Sequence, residues 1–505
     1  MGTASTVTDS RPEFRGLQYW MERVLKELES VRETPEPDAV HDLRVAIRRC
    51  RSVAAVMEEV DPDAAWADMR KLGRRLFRQL GELRDTQVLE EWTKKLGPES
   101  DPVRQQLLTA FTAQEKELQQ LAQKAVQKFD QKPWRKLERK LQGRSRLVPF
   151  DRLAAECLAL ERLEAGKELH VHALRTEKPE AWHELRMGVK RFRYTVESLL
   201  PTRYVEWGEN LKRIQDLLGE VHDLDVLSLK IGEGAGDFEE SRAVWAERIA
   251  SQRHERIETY RRLTIGEGGL WQLWRRGLPE GRRMAAASQA RLRATAKALE
   301  LNTRRATIVS QLAMRLFDAL TRLHVDPALA NRDLRKTMLA SARLHGIGAG
   351  LDAKSPQKAA RKYLKAMVLP PGWTETEWEI MGIVVRYHRG SLPNPNQKAF
   401  ARFTAEEQKM ICMLAGVLRL ARAISKAGGP SAAGVRVEKS VDALIVHVPG
   451  LEEGEENAAR LAAGKYLLES SLGEPVIVKA APLASKLIEL PRKEELPQTS
   501  AAASD

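Results

Sequence analysis

Along most of the chain apolar residues recur three and four positions apart, the spacing of helices laid against a core. In one stretch Leu43, Ile47, Cys50, Ala54 and Met57 fall on one side of a helical wheel, and His41, Arg44, Arg48 and Arg51 on the other. A second stretch divides the same way, with Leu185, Val189, Phe192, Val196 and Leu199 against His183, Arg186, Lys190 and Arg193. Gly266, Gly268, Gly269, Gly277, Pro279 and Gly281 punctuate the end of this region. From Arg304 the helical period resumes through Ile308, Leu312, Leu316 and Leu320, and further apolar blocks run over 339–348, 383–389 and 414–422. Beyond Gly428-Gly429-Pro430 the period falls to two. Short strands are predicted over Val435–Val437 and Leu444–Val448, then a helix over Asn457–Leu472 and a strand over Val476–Val478. The pattern predicts a mainly α protein with a small α/β tail, and residues 494–505 read as disordered.

The two amphipathic stretches are copies of one text. His41-Asp-Leu-Arg-Val-Ala-Ile-Arg-Arg-Cys-Arg51 returns as His183-Glu-Leu-Arg-Met-Gly-Val-Lys-Arg-Phe-Arg193, 142 residues on. Leu80-Gly-Glu-Leu-Arg-Asp85, followed by Val88-Leu89, returns as Leu218-Gly-Glu-Val-His-Asp223, followed by Val226-Leu227, 138 residues on. Two matched blocks at nearly one offset imply a duplicated helical unit. A period of this length is too long for a solenoid and points to duplicated bundles packed about a pseudo-two-fold axis.

Composition narrows the class. Hydrophobic residues make up 43% and aromatics 6%, which suits a helical protein built on Leu, Ala and Val. No apolar run reaches the roughly 18 residues that a membrane span needs. Cys50, Cys157 and Cys412 are odd in number and widely spaced, which indicates neither a disulfide framework nor a zinc site. A reducing cytoplasm is the expected setting, and Cys50 and Cys412 are expected to be buried thiols. The net charge of +13 asks for an acidic partner: polyphosphate, nucleic acid or a membrane surface.

The arrangement of charge chooses among them. From His41 to Arg51 the basic row covers about 15 Å of helix and meets no acidic residue four positions on, so it is not neutralised within its own helix. A single basic face is ordinarily a solvated one; the same register kept twice favours two rows that face each other across a groove suited to a linear polyanion. Arg44, Arg48, Arg51, Arg186, Lys190 and Arg193 would make charge-assisted contacts, assisted by Arg49 and Arg191. Arg74, Arg75 and Arg78 precede the first Leu-Gly-Glu block, and Lys212 with Arg213 the second, extending the candidate site. His41 and His183 either cap and orient neighbours or donate to phosphate. Asp85 and Asp223 are read as orienting basic side chains rather than holding a metal.

At these residues the chain resembles the CHAD domain, the conserved-histidine α-helical domain, with Tyr194 and Glu197 supplying the Arg-Tyr-x-x-Glu ending of its second half. The resemblance covers about residues 10–285, in repeats of about 10–145 and 146–285. It implies two four-helix bundles related by pseudo-symmetry, with a basic channel that binds polyphosphate. The Glu-x-Glu-x-Lys mark of a triphosphate-tunnel (CYTH) domain does not precede residue 41. Over about 300–482 the Leu-His345-x-Ile-Gly348 and Arg-Tyr-His388-Arg stretches resemble the C-terminal HD-type domain of the exopolyphosphatase/guanosine pentaphosphatase family. An HD site needs a His-Asp pair and further His and Asp ligands to hold a divalent ion. Gly346 stands in place of the paired Asp, Arg422 near the place of the late Asp, and 355–363 holds no histidine. The expectation is a degenerate HD domain with no catalytic residue, no metal and no cofactor; the family's actin-like catalytic domains have no counterpart.

The expected function is non-catalytic binding of inorganic polyphosphate, the second domain adding a basic surface through Arg335, Lys336, Lys354, Lys358, Arg361 and Lys362 or docking a protein partner. Two other classes stay open. A metal-dependent phosphohydrolase would need the ligands described as missing. A nucleic-acid binder would share the salt dependence, but the basic rows hold few aromatics on which bases could stack.

Overall fold

The computed structural model describes residues 16–33, 37–147, 151–232, 239–299, 302–428 and 434–482; the tail at 494–505 lies outside them. Among the described residues nineteen α-helices and one three-stranded sheet form two compact units. Unit one takes its residues from Met1–Leu301 and Gly346–Gly382, and unit two from Asn302–His345 and Ile383–Asp505.

Unit one begins with α1 (Leu17–Glu33), α2 (Pro37–Glu58), α3 (Ala64–Leu72), α4 (Arg74–Leu96), α5 (Pro102–Lys128) and α6 (Gln131–Leu147). The second repeat follows with α7 (Arg152–Thr176), α8 (Pro179–Leu199), α9 (Pro201–Gly232), α10 (Glu239–Thr264), α11 (Leu270–Arg276) and α12 (Gly281–Leu299). The offset of 138 maps α9 onto α3 and α4 together. The first copy breaks where Gly73 ends α3, close under Ile47 and Trp134; the second runs straight through.

The apolar faces read from sequence are the cores. Leu43, Ile47, Cys50, Ala54 and Met57 of α2 are buried in the first, with Trp66, Leu76 and Trp134. Leu185, Val189, Phe192 and Val196 of α8 are buried in the second, with Trp207, Tyr260 and Trp274. Each large apolar side chain so placed contributes about 1.5–3 kcal/mol. A third core belongs to both repeats: Leu89, Trp92, Val103 and Phe111 meet Leu224, Leu227, Trp245 and Ile249. Its keystone is the turn between α4 and α5. Trp245 Nε1 donates to Asp101 Oδ1 at 3.0 Å, while Asp101 caps α5 by accepting from Val103 N at 2.9 Å. A Cβ on Gly97 would lie 2.3 Å from the Trp245 ring, so only glycine lets the indole seat there.

Unit two holds α13 (Thr303–Arg322), α14 (Arg332–Leu344), then α18 (Ala405–Lys426) and α19 (Glu455–Leu472). Between α14 and α18 the chain forms α15 (Pro356–Ala366), α16 (Glu375–Tyr387) and the short α17 (Lys398–Ala401). Helix α18 starts from a capping box of Thr404 and Glu407 and is buried nearly all round from Ile411 to Ile424. Gly416 lies under Leu468 and Gly464 under Ala423, so α18 and α19 approach closely. The sheet orders β1 (Arg436–Lys439), β2 (Leu444–Pro449) and β3 (Val476–Ala481) as β1-β2-β3. β1 runs antiparallel to β2, and β3, returning through α19, runs parallel to it. These are the elements the change of period predicted.

Two expectations meet a different arrangement. The sequence treats 300–482 as one domain, but residues 346–382 group with unit one, where Trp373 Nε1 donates to Ser288 Oγ of α12 at 3.0 Å. Cys50 is fully buried as expected, whereas Cys412 is half-buried.

A candidate polyanion-binding site between the repeats

Helices α2 and α8 present their basic rows to a common space. Arg44, Arg48 and Arg51 are half-buried on α2, and Arg186, Lys190 and Arg193 on α8; His41 and His183 stand exposed at the N-terminal ends. Lys190 marks the convergence. Burial, and then the charges of Arg186, Arg48 and Arg44, push its ammonium down to about 8, with Asp223 opposing. Two of those neighbours come from the other repeat. Arg44 is lowered as well, by burial first and then Arg48, Arg84 and Arg186, against the pull of Asp85.

The Leu-Gly-Glu blocks frame these rows from below. Arg44 reaches within 3.5 Å of Asp85, and its Nη2 would lie 3.9 Å from a Cβ on Gly81. Asp223, at the equivalent place in the second repeat, is pushed up to about 6 by burial, with Asp85 and Glu220 adding to the shift and Arg186 and Lys190 opposing it. Asp85 thus stands within ion-pair distance of Arg44, and Asp223 lies near enough to Arg186 and Lys190 for their charges to act on it.

Sequence reasoning missed four contributors. Arg84 and His222 occupy the same place in the two Leu-Gly-Glu blocks, a signal that was present. His222 sits with its ring centroid 4.7 Å from that of His183 and their Nδ1 atoms 3.4 Å apart; burial, then Arg186, His183 and Lys190, hold it down at about 4. Arg70 and Arg162 line a cavity of about 520 Å³ between α2 and α8, with Arg48, Arg51, Lys190 and Arg191. Each is ion-paired, Arg70 with Glu58 and Arg162 with Glu59. Burial and the charges of Arg191 and Arg291 lower Arg162 to about 10.

The remaining predicted residues divide. Arg49 leaves the row: it pairs with Glu197 of the other repeat and lies 5.5 Å over the Trp20 ring. Arg51 turns sideways, donating to Arg70 O at 2.5 Å and lying 5.1 Å over Phe77. Arg193 reaches Tyr204 Oη at 3.4 Å, while the Nε atoms of Arg186 and Arg193 are buried with no hydrogen-bond partner. Lys212 stands with Arg193 and Arg48 around Asp216, whose carboxyl burial pushes up. Arg74, Arg75, Arg78 and Arg213 are exposed, Arg78 within 3.6 Å of Glu82.

In unit two His345 and His388 are buried, their rings 5.4 Å apart and T-shaped. Each turns Nδ1 to a carbonyl, His345 to Ala342 O at 2.7 Å and His388 to Val385 O at 2.6 Å. Burial pushes His345 down to about 4 and His388 well below its ordinary value. Among the described residues no three His, Cys, Asp or Glu side chains gather as a metal site. The basic surface expected of the second domain is in part neutralised: Arg335 pairs with Asp318 at 2.8 Å, and Arg361, in unit one, with Glu379 at 2.7 Å.

A duplicated helical unit with converging basic rows, joined to a mostly helical domain carrying a His-His pair, defines the class. Residues 16–230 match the CHAD domain, and residues 289–453 match the Ppx/GppA phosphatase, domain III. The chain carries a CHAD domain followed by a Ppx/GppA phosphatase domain III, an HD-like domain. The first match ends near the close of α9, although Ile257, Tyr260, Trp271 and Trp274 beyond it complete the second core. No curated protein matches the chain. Among the described residues no helix is long and apolar enough to cross a membrane.

Proposed function

We propose that the chain binds inorganic polyphosphate in the groove between α2 and α8, and that it holds the polymer without hydrolysing it. The observation that carries this reading is the convergence of Arg44, Arg48, Arg186 and Lys190, from two repeats, into one half-buried cluster. Asp85 and Asp223 face the cluster, with Asp216 beside Arg48; burial holds Asp223 toward its neutral form, while Glu58 and Glu59 at the cavity are taken by Arg70 and Arg162. Cations kept close against their mutual repulsion are relieved by a polyanion, and guanidinium groups fit phosphate oxygens in pairs. The CHAD family's association with polyphosphate supports the same reading. A pseudo-two-fold relation between the repeats would let the polymer run in either direction.

A hydrolytic role would rest on the HD-like domain, where the resemblance puts Gly346 and Arg422 at the places of metal-binding aspartates and, among the described residues, no group of metal-ligating side chains gathers. The test is calorimetry with long-chain polyphosphate, wild type against R44A/R48A/R186A/K190A, with helicity checked by circular dichroism. Binding that collapses in the variant, phosphate release at background and weak competition by DNA or RNA are the expected results. An undiminished affinity in the variant, or displacement by nucleic acid at equal phosphate, overturns the reading.

A further inference from the structure

Unit two carries a second concentration of positive charge that none of the predicted residues includes. On α18, Arg419, Arg422 and Lys426 lie three and four residues apart and so share a face. Arg419 fastens that face to the turn after α16: its Nε donates to Tyr387 O at 2.7 Å, and its Nη2 to Gly390 O and Ser391 O, both at 2.8 Å. The turn so held carries His388 and Arg389, and brings Arg389 beside Arg422. Arg305, in the first turn of α13, adds a charge that acts on Arg422 and Lys426.

These side chains feel one another and little else. Burial first, then Arg389, Arg305 and Arg419, lower Arg422 to about 10. Lys426 is lowered by Arg422 first, then by burial and by Arg460, Arg305 and Arg389. No carboxylate acts on either, and among the described residues none stands within ion-pair distance of Arg305, Arg389 or Arg422. Beneath the cluster lie the two buried histidines, both under the charge of Arg422. Arg386 adds a buried Nη1 with no hydrogen-bond partner. Arg389 and Arg422 are half-buried, where cations are ordinarily paired, and Arg305 and Lys426 stand exposed. Among the described residues no protein side chain supplies the counter-charge, a place that an anionic ligand fits.

We propose that Arg305, Arg389, Arg422 and Lys426 form a second phosphate site, above His345 and His388 of the HD-like domain, for the end of a polyphosphate chain or the phosphates of a nucleotide. Where an HD domain would gather carboxylates around a cation, this chain gathers cations around the place of an anion. The site is independent of the groove in unit one.

The test uses the full chain carrying R44A/R48A/R186A/K190A, so that the groove is silenced, with pyrophosphate and ADP as titrants. Calorimetry is expected to show one binding event per chain, weakened about tenfold or more by R389Q/R422Q, the loss of a charge-assisted hydrogen bond or more. R305Q, a change on an exposed side chain that leaves the core untouched, is expected to weaken it by about threefold. Pyrophosphate should also move the imidazole proton resonances of His345 and His388 in NMR spectra. Equal affinity for the two titrants assigns the phosphate group alone, and tighter ADP assigns a nucleotide. Heats at background, or binding unchanged in both R389Q/R422Q and R305Q, overturn the proposal. Long-chain polyphosphate titrated into wild type and the groove variant reports on the groove separately: a large fall in its affinity in the variant, alongside retained pyrophosphate binding, separates the two sites.

Discussion

The two repeats of unit one share a motif register and differ in how their charges are made. Where the first has Arg48 and Arg84, the second has Lys190 and His222. The first set is two guanidinium groups; in the second, burial and neighbouring cations hold Lys190 down at about 8 and His222 at about 4. The carboxylates differ too. The side chain of Asp85 is 75% exposed, whereas Asp223 is half-buried and pushed up to about 6. One scaffold thus builds a wall of fixed charge and, facing it, a wall whose charge depends on burial and on its neighbours. A ligand would be gripped by the first and would recruit protons to the second.

The strongest way to break this comparison is to remove one wall at a time. R44A/R48A and R186A/K190A are each expected to cost polyphosphate affinity by about a hundredfold, two charge-assisted contacts per wall. A large loss from one pair and none from the other, read by calorimetry, would show that a single repeat suffices. Next comes the tie between the walls. E197Q leaves Arg49 half-buried without its partner and should lower stability by about 1–3 kcal/mol, measured by urea denaturation, with affinity nearly unchanged.

Lys190 offers a finer test with a definite sign. Its folded pKa of about 8 lies below the ordinary 10.5, so between those values the folded state holds fewer protons than the unfolded. Stability therefore rises with pH through that window, and below about 8 the buried ammonium is a full cost. K190M should stabilise the unliganded protein by about 1–2 kcal/mol at pH 7, with the gain fading as pH climbs past the window. It should weaken polyphosphate binding at the same time. The smallest effect expected is from H222R, which gives the second repeat the first one's residue: affinity should tighten by only about twofold to fivefold, as partly screened charges do.

Much of this was legible in the chain. The apolar stripes of α2 and α8 have one period and one partner surface, so a wheel finds both the core face and the basic face. The strands β1 to β3 showed as a change of period. What escaped depends on other elements. Arg70 and Arg162 enter the groove from α3 and α7, and no spacing within α2 announces them. Arg49, one residue from Arg48 on the wheel, is turned aside by Glu197, 148 positions away in the chain. The Arg422 cluster was half visible: its residue was noted as foreign to a metal site, but its partners come from α13 and the turn after α16. Residues 346–382 read as part of their flanks because the Trp373 to Ser288 contact that claims them leaves no periodic mark.

The core shared by Trp92, Phe111, Leu227 and Trp245 bears on ancestry. A gene for one repeat alone would encode a protein with Leu89, Trp92, Val103 and Phe111 uncovered, a patch that water penalises and that a second copy would cover. The present chain carries within itself what would otherwise be a homodimer interface. Joined in one chain, each copy is free to change without the other, and one has arginine where its sister has lysine and histidine.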